Sequence, residues 1–482
     1  MIHNTTMNSP FALVIFGATG DLAQHKLIPS LFSLYKKQQL PEDFSVFGFS
    51  RREFSDEDFR KYFTKFQDQP EWEKFSQHLF YQQGNFDDPK GYTDLIPKLE
   101  ALDTKMGACV TRIFYLATPP QNYEIILNHL QSTKLSEGCG QGSNKWTRVA
   151  IEKPFGKDVA TSKMLDEKLS TIFQEEQIFR VDHYLGKETV QNMLVFRFAN
   201  SIFEPVWNKE YIDHVQITFA EKKGIGTRGK FYDGVGILRD VGQNHLMQIL
   251  AAVTMDMPQS FSKEGVRDAR AKALANLQTI EPEKVMENVV RGQYEGYTKE
   301  KDVESHSATE TYVAMKFFVN APRFEYVPFY IRAGIEMPEN VVEVSLVFKQ
   351  TCHILFKEIG CPEEGNILTI RIQPDEGISI KMIAKTPGSA LALSTVNMHF
   401  SYQEEFGKQG IDAYEKVLLD IFSGDQMLFN RSDELSSSWQ FIENILKGWE
   451  MSHAKPLEYK EGTWGPKEAQ ELIEKDNRKW IE

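Results

Sequence analysis

The chain is 482 residues long, more than a single hydrophobic core usually organises, so two domains are expected. Its 68 Asp and Glu outweigh 55 Lys and Arg, and a net charge of -13 argues against a surface that tracks a nucleic-acid backbone, so an anionic ligand must be met by bases gathered locally. No apolar run approaches a membrane span, and the early run Phe11 to Phe16 is too short for a secretion signal.

Phe11-Ala12-Leu13-Val14-Ile15-Phe16 is continuously apolar, the pattern of a strand buried on both faces of a parallel sheet. It leads into Gly17-Ala18-Thr19-Gly20-Asp21-Leu22, after which Leu22, Leu27, Leu31, Phe32 and Leu34 take roughly helical spacing. A glycine turn between strand and helix lets backbone N–H groups approach a pyrophosphate. Further buried strands are expected at Ser45 to Phe49, Ile113 to Thr118 and Val149 to Ile151, an alternation that predicts a doubly wound sheet. Ser50-Arg51-Arg52 stands where an NAD site usually has a carboxylate. The pair suits a 2′-phosphate and so NADP, with a basic surface turn as the bland alternative; Arg51 lies far enough from the glycines to require a long first crossover. Pro119, Pro120 and Pro154 each fix local backbone, and any of them could follow a cis bond. The cysteines Cys109, Cys139, Cys352 and Cys361 lack metal-ligand spacing and read as reduced thiols of a cytoplasmic protein, and Gly138 to Asn144 is a flexible loop by composition.

Arg180-Val181-Asp182-His183-Tyr184-Leu185-Gly186-Lys187-Glu188 crowds polar groups between two apolar segments. His183, Tyr184 and Lys187 carry the donors an anionic oxygen cluster needs; Asp182 would then face a partner such as a histidine. A solvated turn at a helix start is the competing reading.

Beyond Glu188 the pattern changes to strict alternation at Val215 to Phe219, Val342 to Leu346, Leu368 to Ile372 and Ile378 to Met382, predicting a mainly antiparallel sheet with one buried and one exposed face. The expected architecture is therefore α/β plus α+β: a Rossmann-like, doubly wound dinucleotide-binding domain over 1–185 and a larger α+β domain over 186–482. Glu221 follows the first of these strands, where it could accept sugar hydroxyls or simply be solvated. Ile237, Leu238, Val241, His245, Leu246, Ile249, Leu250 and Val253 follow helical spacing. His245 on that stripe is either a satisfied core residue or, paired with a carboxylate such as Asp182, a general base.

Together, Gly17-Ala18-Thr19-Gly20-Asp21-Leu22-Ala23 with Lys26, Glu152-Lys153-Pro154-Phe155-Gly156, Arg180 to Glu188, and Arg239-Asp240-Val241-Gly242-Gln243-Asn244-His245 closely resemble the glucose-6-phosphate 1-dehydrogenase family. Family-like runs continue through Ile370 to Gly377, Asp412-Ala413-Tyr414-Glu415 and Gly424-Asp425. The resemblance implies oxidation of D-glucose 6-phosphate at C1 with NADP, a step of the pentose phosphate pathway. It implies that Gly17, Thr19, Gly20, Asp21 and Leu22 form the cofactor turn, with Lys26 near the phosphates or nicotinamide and Arg51 at the 2′-phosphate. Lys153 would touch both cofactor and sugar, while His183, Tyr184 and Lys187 form the 6-phosphate pocket. Glu221 and Asp240 would meet sugar hydroxyls, His245 would be the base and Asp182 its partner. It further implies a homodimer or homotetramer made through the sheet domain; neither a metal, a nucleic acid nor a membrane is an expected partner.

The chain departs from the family's pattern where Ile335 and Asn340 follow Arg332-Ala333-Gly334 in place of two cations, with Lys222 or Lys349 as possible replacements. Two alternatives accompany this: a paralogue acting on a related 6-phosphorylated or 6-anionic hexose, and a non-catalytic sensor of nucleotide and sugar phosphate. Use of NAD beside NADP is also compatible with Arg51.

Overall fold

The computed structural model describes residues 9–138, 147–363, 365–407 and 412–481. They form two compact units. The first holds Met1–Gly186, Ser262–Arg267 and Ile411–Ser432; the second holds Lys187–Phe261, Asp268–Gly410 and Asp433–Glu482. Where the sequence suggests a single junction near 185, the chain thus returns twice to the first unit. The later return is explained by the helix Ala413–Ser423, whose buried Val417, Leu418, Ile421 and Phe422 join the core around the first strand. Phe422 stacks on Phe11 at 4.1 Å between ring centroids. Periodicity marks such a helix as amphipathic but cannot say which core receives it.

In the first unit, strands β1 (Phe11–Phe16), β2 (Phe44–Ser50), β3 (Leu79–Gln83), β4 (Thr111–Leu116), β5 (Thr147–Glu152) and β6 (Ile178–Val181) form a parallel sheet in the order β6-β5-β4-β1-β2-β3. A short strand, Phe429–Asn430, adds antiparallel to β6. The order reverses between β1 and β4, the switch point at which doubly wound sheets bind ligands. Every residue of β1 is buried, as its continuous apolar run predicts. The long first crossover is there: a π turn, Ala23–Leu27, runs directly into the helix Ile28–Lys36.

In the second unit, β7 (Ile212–Ala220), β8 (Val289–Tyr294), β9 (Tyr312–Phe317), β10 (Phe329–Gly334), β11 (Val341–Phe348), β12 (Ile367–Gln373), β13 (Gly377–Lys385) and β14 (Leu393–Ser401) lie in the order β14-β13-β12-β11-β7-β10-β9-β8, closed by Leu457–Tyr459. The sheet is antiparallel except at β7/β10 and at Leu457–Tyr459 beside β8.

The expectation of one exposed face fails at β7, β10 and β11, which are buried almost throughout. Residues 476–481 help cover their polar face. Arg478 pairs with Asp213 at 2.8 Å, and the Gln216 amide accepts the Ile481 N–H at 2.9 Å while donating to the Lys479 carbonyl at 2.8 Å. Arg332 lies between Trp464 and Trp480, 4.1 and 4.8 Å from their ring centroids, and donates to Thr218 and the Ile481 carbonyl. Alternation survives here because the buried polar groups find partners, not because they meet water.

The reading of reduced thiols is corrected. Cys352 and Cys361 form a disulfide, their Cα atoms brought to 5.9 Å by the short helix His353–Phe356 and the turn after it. Cys109 is also disulfide-bonded; Cys139 and the expected loop beyond Gly138 lie outside the described residues. Of the three prolines singled out, Pro154 follows a cis bond; among the described residues Pro374 does too.

Candidate active site

The glycine turn is shaped by the strands beside it. Gly17 has φ +85°, and a Cβ there would stand 2.5 Å from the Ala117 carbonyl oxygen, so only glycine fits. Its N–H donates to the Phe49 carbonyl at 2.9 Å, and the Gly20 N–H closes the turn onto the Gly17 carbonyl at 2.9 Å. The hydroxyls of Thr19 and Ser50 are 2.8 Å apart, tying the turn to the end of β2. Thr118, beside Gly17, keeps a buried hydroxyl without a hydrogen-bond partner among the described residues. A bare backbone turn at the switch point with an unsatisfied hydroxyl beside it fits a pyrophosphate.

The two arginines after Ser50 differ. Arg52 donates to the Tyr62 hydroxyl at 3.0 Å and lies over that ring, whereas the Arg51 guanidinium is exposed and bonds to no described residue. Asp21 and Lys26 are exposed on the same approach, Leu22 is half-buried, and the Lys26 ammonium lies 5.8 Å from the Tyr414 ring centroid.

The motif from Arg180 to Glu188 divides. Arg180 is buried and spent on structure, pairing with Glu175 at 2.9 Å and with Asp166. Asp182 is buried, with one carboxylate oxygen accepting the Tyr184 N–H at 3.0 Å. His183 is half-buried, its ring nearly parallel to Tyr414 at 5.9 Å. Tyr184 is 5% exposed.

Lys187 and Glu188 belong to the second unit, where Lys187 immediately precedes the helix Glu188–Ala199 and bonds to the Gln373 side chain.

Also in the second unit, the end of β7 is stitched to the turn between β10 and β11. Glu221 donates its N–H to Gly334 and accepts from Met337, both at 2.9 Å, and the Lys222 N–H donates to Asn340 Oδ1 at 2.7 Å. Ile335 is fully buried. Lys222 therefore adjoins the departure from the family's pattern; Lys349 does not. It donates to the Lys209 carbonyl at the other end of β11, about 25 Å away for an eight-residue strand.

Asp240 and His245 lie on one π-helix, Leu238–Leu246. Arg228 approaches Asp240 at 3.9 Å, and His245 is 2% exposed with its ring near Phe219.

Two residues were missed by sequence reasoning. Glu152, buried at the end of β5, accepts from the Tyr115 hydroxyl at 2.6 Å and from Tyr414, and its carbonyl accepts from Tyr123 at 2.8 Å. Burial raises its carboxyl to about 7, against the opposing pull of the tyrosine hydrogen bonds and the Lys153 charge. Tyr414 links Glu152 to His183 and Lys26, and burial pushes its own hydroxyl up. Glu152 sits inside a recognised motif, which could have drawn attention to it. Tyr414 also lies in a family-like run, Asp412 to Glu415, but nothing in the sequence ties that distant segment to Glu152.

Residues 14–192 match the family model "Glucose-6-phosphate dehydrogenase, NAD binding domain", and 194–481 match "Glucose-6-phosphate dehydrogenase, C-terminal domain". The chain is 42% identical over 493 residues to a glucose-6-phosphate 1-dehydrogenase of Chlamydia pneumoniae, covering 98% of this chain and 96% of that one. It superposes on a glucose-6-phosphate dehydrogenase solved in complex with its substrate glucose-6-phosphate, with a TM-score of 0.90 and 33% identity over 99% of this chain and 100% of that one. The Mycobacterium avium glucose-6-phosphate 1-dehydrogenase gives 0.85 and 31% over 98% and 99%.

Proposed function

Because the chain belongs to the glucose-6-phosphate dehydrogenase family, we infer that it oxidises D-glucose 6-phosphate at C1 to 6-phospho-D-glucono-1,5-lactone with a nicotinamide dinucleotide as oxidant. The match of both family domains carries this reading, since together they take in every motif from the glycine turn to Asp425.

The residue roles are part of the proposal. The turn of Gly17, Thr19, Gly20, Asp21 and Leu22 binds the dinucleotide, with Lys26 near its phosphates or nicotinamide. The lack of room at Gly17 and the unsatisfied Thr118 hydroxyl support that assignment. Bound there, the dinucleotide supplies the hydride acceptor. The exposed guanidinium of Arg51 supports a 2′-phosphate contact, hence NADP. His183, Tyr184 and Lys187 donate to the 6-phosphate, which anchors the sugar far from C1 and orients the reacting carbon. Glu221 and Asp240 accept hydrogen bonds from sugar hydroxyls, and Lys153 serves both sugar and cofactor.

His245 takes the C1 hydroxyl proton as C1 gives up its hydride, so the C1–O bond becomes the lactone carbonyl. Asp182 holds the imidazole and stabilises its charged form.

The second sheet is the proposed interface of a dimer or tetramer. Met382, Val396 and Met398, exposed on its outer strands, support this, and sedimentation would test it. Among the described residues no helix is long and apolar enough to cross a membrane. The cytoplasm is the proposed compartment, now on the ground that phosphorylated substrates do not cross bilayers unaided, since the disulfide removes thiol state as an argument.

The test is a panel of hexose 6-phosphates and 6-anionic hexoses assayed with NADP and with NAD. Glucose 6-phosphate with NADP should give the highest kcat/KM, and His245→Asn should lower kcat by roughly 10²- to 10⁴-fold. Folded protein that binds both ligands without turnover would favour a sensor. A different preferred sugar would implicate Ile335 and Asn340.

A further inference from the structure

The segment that carries Asp240 and His245 does not wind as an α-helix. Leu238–Leu246 is a π-helix, in which the backbone bond spans five residues instead of four. These two residues are five apart. At 3.6 residues per turn, five residues carry a side chain about 140° past a full turn, onto a different face. A π turn, at roughly 4.4 residues, carries it only about 50° past a full turn, much nearer its starting face. The wide register thus sets the sugar-hydroxyl acceptor and the base on one side of the segment, a statement that rests on the roles proposed above.

Long π stretches are rare, so something has to hold this one. The Asn244 side chain is 2% exposed and bonds to backbone on both sides of itself. Its amide nitrogen donates to the carbonyls of Arg239 at 3.2 Å and Asp240 at 3.0 Å, while its Oδ1 accepts the His245 N–H at 2.7 Å. Other side chains anchor the segment without joining these two residues. Glu310 accepts the Leu238 N–H at 3.3 Å, and Gln243 donates to Ser438 at 3.0 Å.

We propose that Asn244 is a positioning residue: a single side-chain amide, bonded to the backbone of Asp240 and of His245, fixes the π register that holds them on one face. A slip to α register would rotate His245 by about 90° relative to Asp240. Misplacement of a reacting group by only ~1 Å can cost about 10²-fold in rate.

The full chain carrying Asn244→Ala, Asn244→Asp or, as control, His245→Asn tests this. The measurements are kcat, the KM of sugar and of dinucleotide, the isotope effect with C1-deuterated glucose 6-phosphate, and a crystal structure of Asn244→Ala. Asn244→Ala should lose about 10- to 100-fold in kcat. Its sugar KM should rise, its dinucleotide KM should stay within about twofold, and the isotope effect should grow as proton and hydride transfer become slower.

Asn244→Asp keeps the size and the acceptor toward His245 but turns an oxygen on two carbonyls. It should be impaired at least as much; wild-type rates in it would mean that shape alone matters and overturn the proposal. A crystal structure of Asn244→Ala that keeps the π register would do the same. So would a uniform loss of kcat with both KM values and the isotope effect unchanged, since that signals fewer folded molecules. If His245→Asn is inactive while Asn244→Ala behaves as wild type, this proposal fails and the assignment of His245 stands. Full activity in His245→Asn would remove the assignment and this proposal with it.

Discussion

Glu152→Gln isolates the energetic effect of a buried carboxyl close to the proposed chemistry. Burial raises the Glu152 carboxyl from an ordinary 4.5 to about 7. An acid whose folded-state pKa is raised favours the folded state most fully below its unfolded pKa, and that contribution is lost as pH rises through the folded value. At 1.36 kcal/mol per unit the whole shift corresponds to about 3 kcal/mol, most of which falls between pH 5 and pH 8. Glutamine keeps a neutral group of the same shape that can still accept from Tyr115, and it does not titrate. Wild type should therefore lose stability relative to Glu152→Gln by roughly 2–3 kcal/mol across that interval. Urea unfolding of both proteins at several pH values, followed by circular dichroism, gives the difference directly. A constant difference between the two, whatever its size, would refute the reasoning, because it would mean that Glu152 titrates alike in the folded and unfolded chain.

Arg51→Ala should raise the KM for NADP by roughly 10- to 100-fold, the loss of a charge-assisted bond of about 1.5–3 kcal/mol, and leave the KM for NAD nearly unchanged. Equal losses with both dinucleotides would show that the arginine meets some other part of the cofactor. Arg332→Ala should lower stability by about 3 kcal/mol, counting two hydrogen bonds and two indole faces, with the dinucleotide KM unaltered; differential scanning calorimetry beside steady-state kinetics separates the two effects. In the denatured, unreduced protein, Cys352 and Cys361 should resist alkylation until a reductant is added. Prompt labelling of both by mass spectrometry would restore the reading of free thiols.

The parts of the fold legible in the sequence were those whose cause is local. β1 announces itself because both faces of a parallel strand are covered, and the glycine turn because the residues that permit it are adjacent. What was hidden depends on partners far along the chain. Gln216 and Thr218 alternate with apolar residues as on a half-exposed strand, yet both are buried. The π register was hidden differently: Ile237, Leu238, Val241, Leu246 and Ile249 satisfy α spacing well enough that periodicity gives no warning of a wider turn. His245 has two readings in the sequence, a satisfied core residue or a base; the structure places it 2% exposed on the π-helix, and its role as the base is part of the proposal.

The helix Ala413–Ser423 also bears on the making of the molecule. Its unit begins with the first strand, yet about 225 residues separate Gly186 from the return that supplies the helix. At the ~5–20 residues per second of synthesis, a ribosome needs roughly 10–45 s to cover that distance. Throughout the interval Phe11 lacks its stacking partner Phe422, and the nascent nucleotide-binding half carries an uncovered apolar patch. The half emerging first is therefore not the half finished first, and a translational pause within that stretch prolongs its exposure to aggregation.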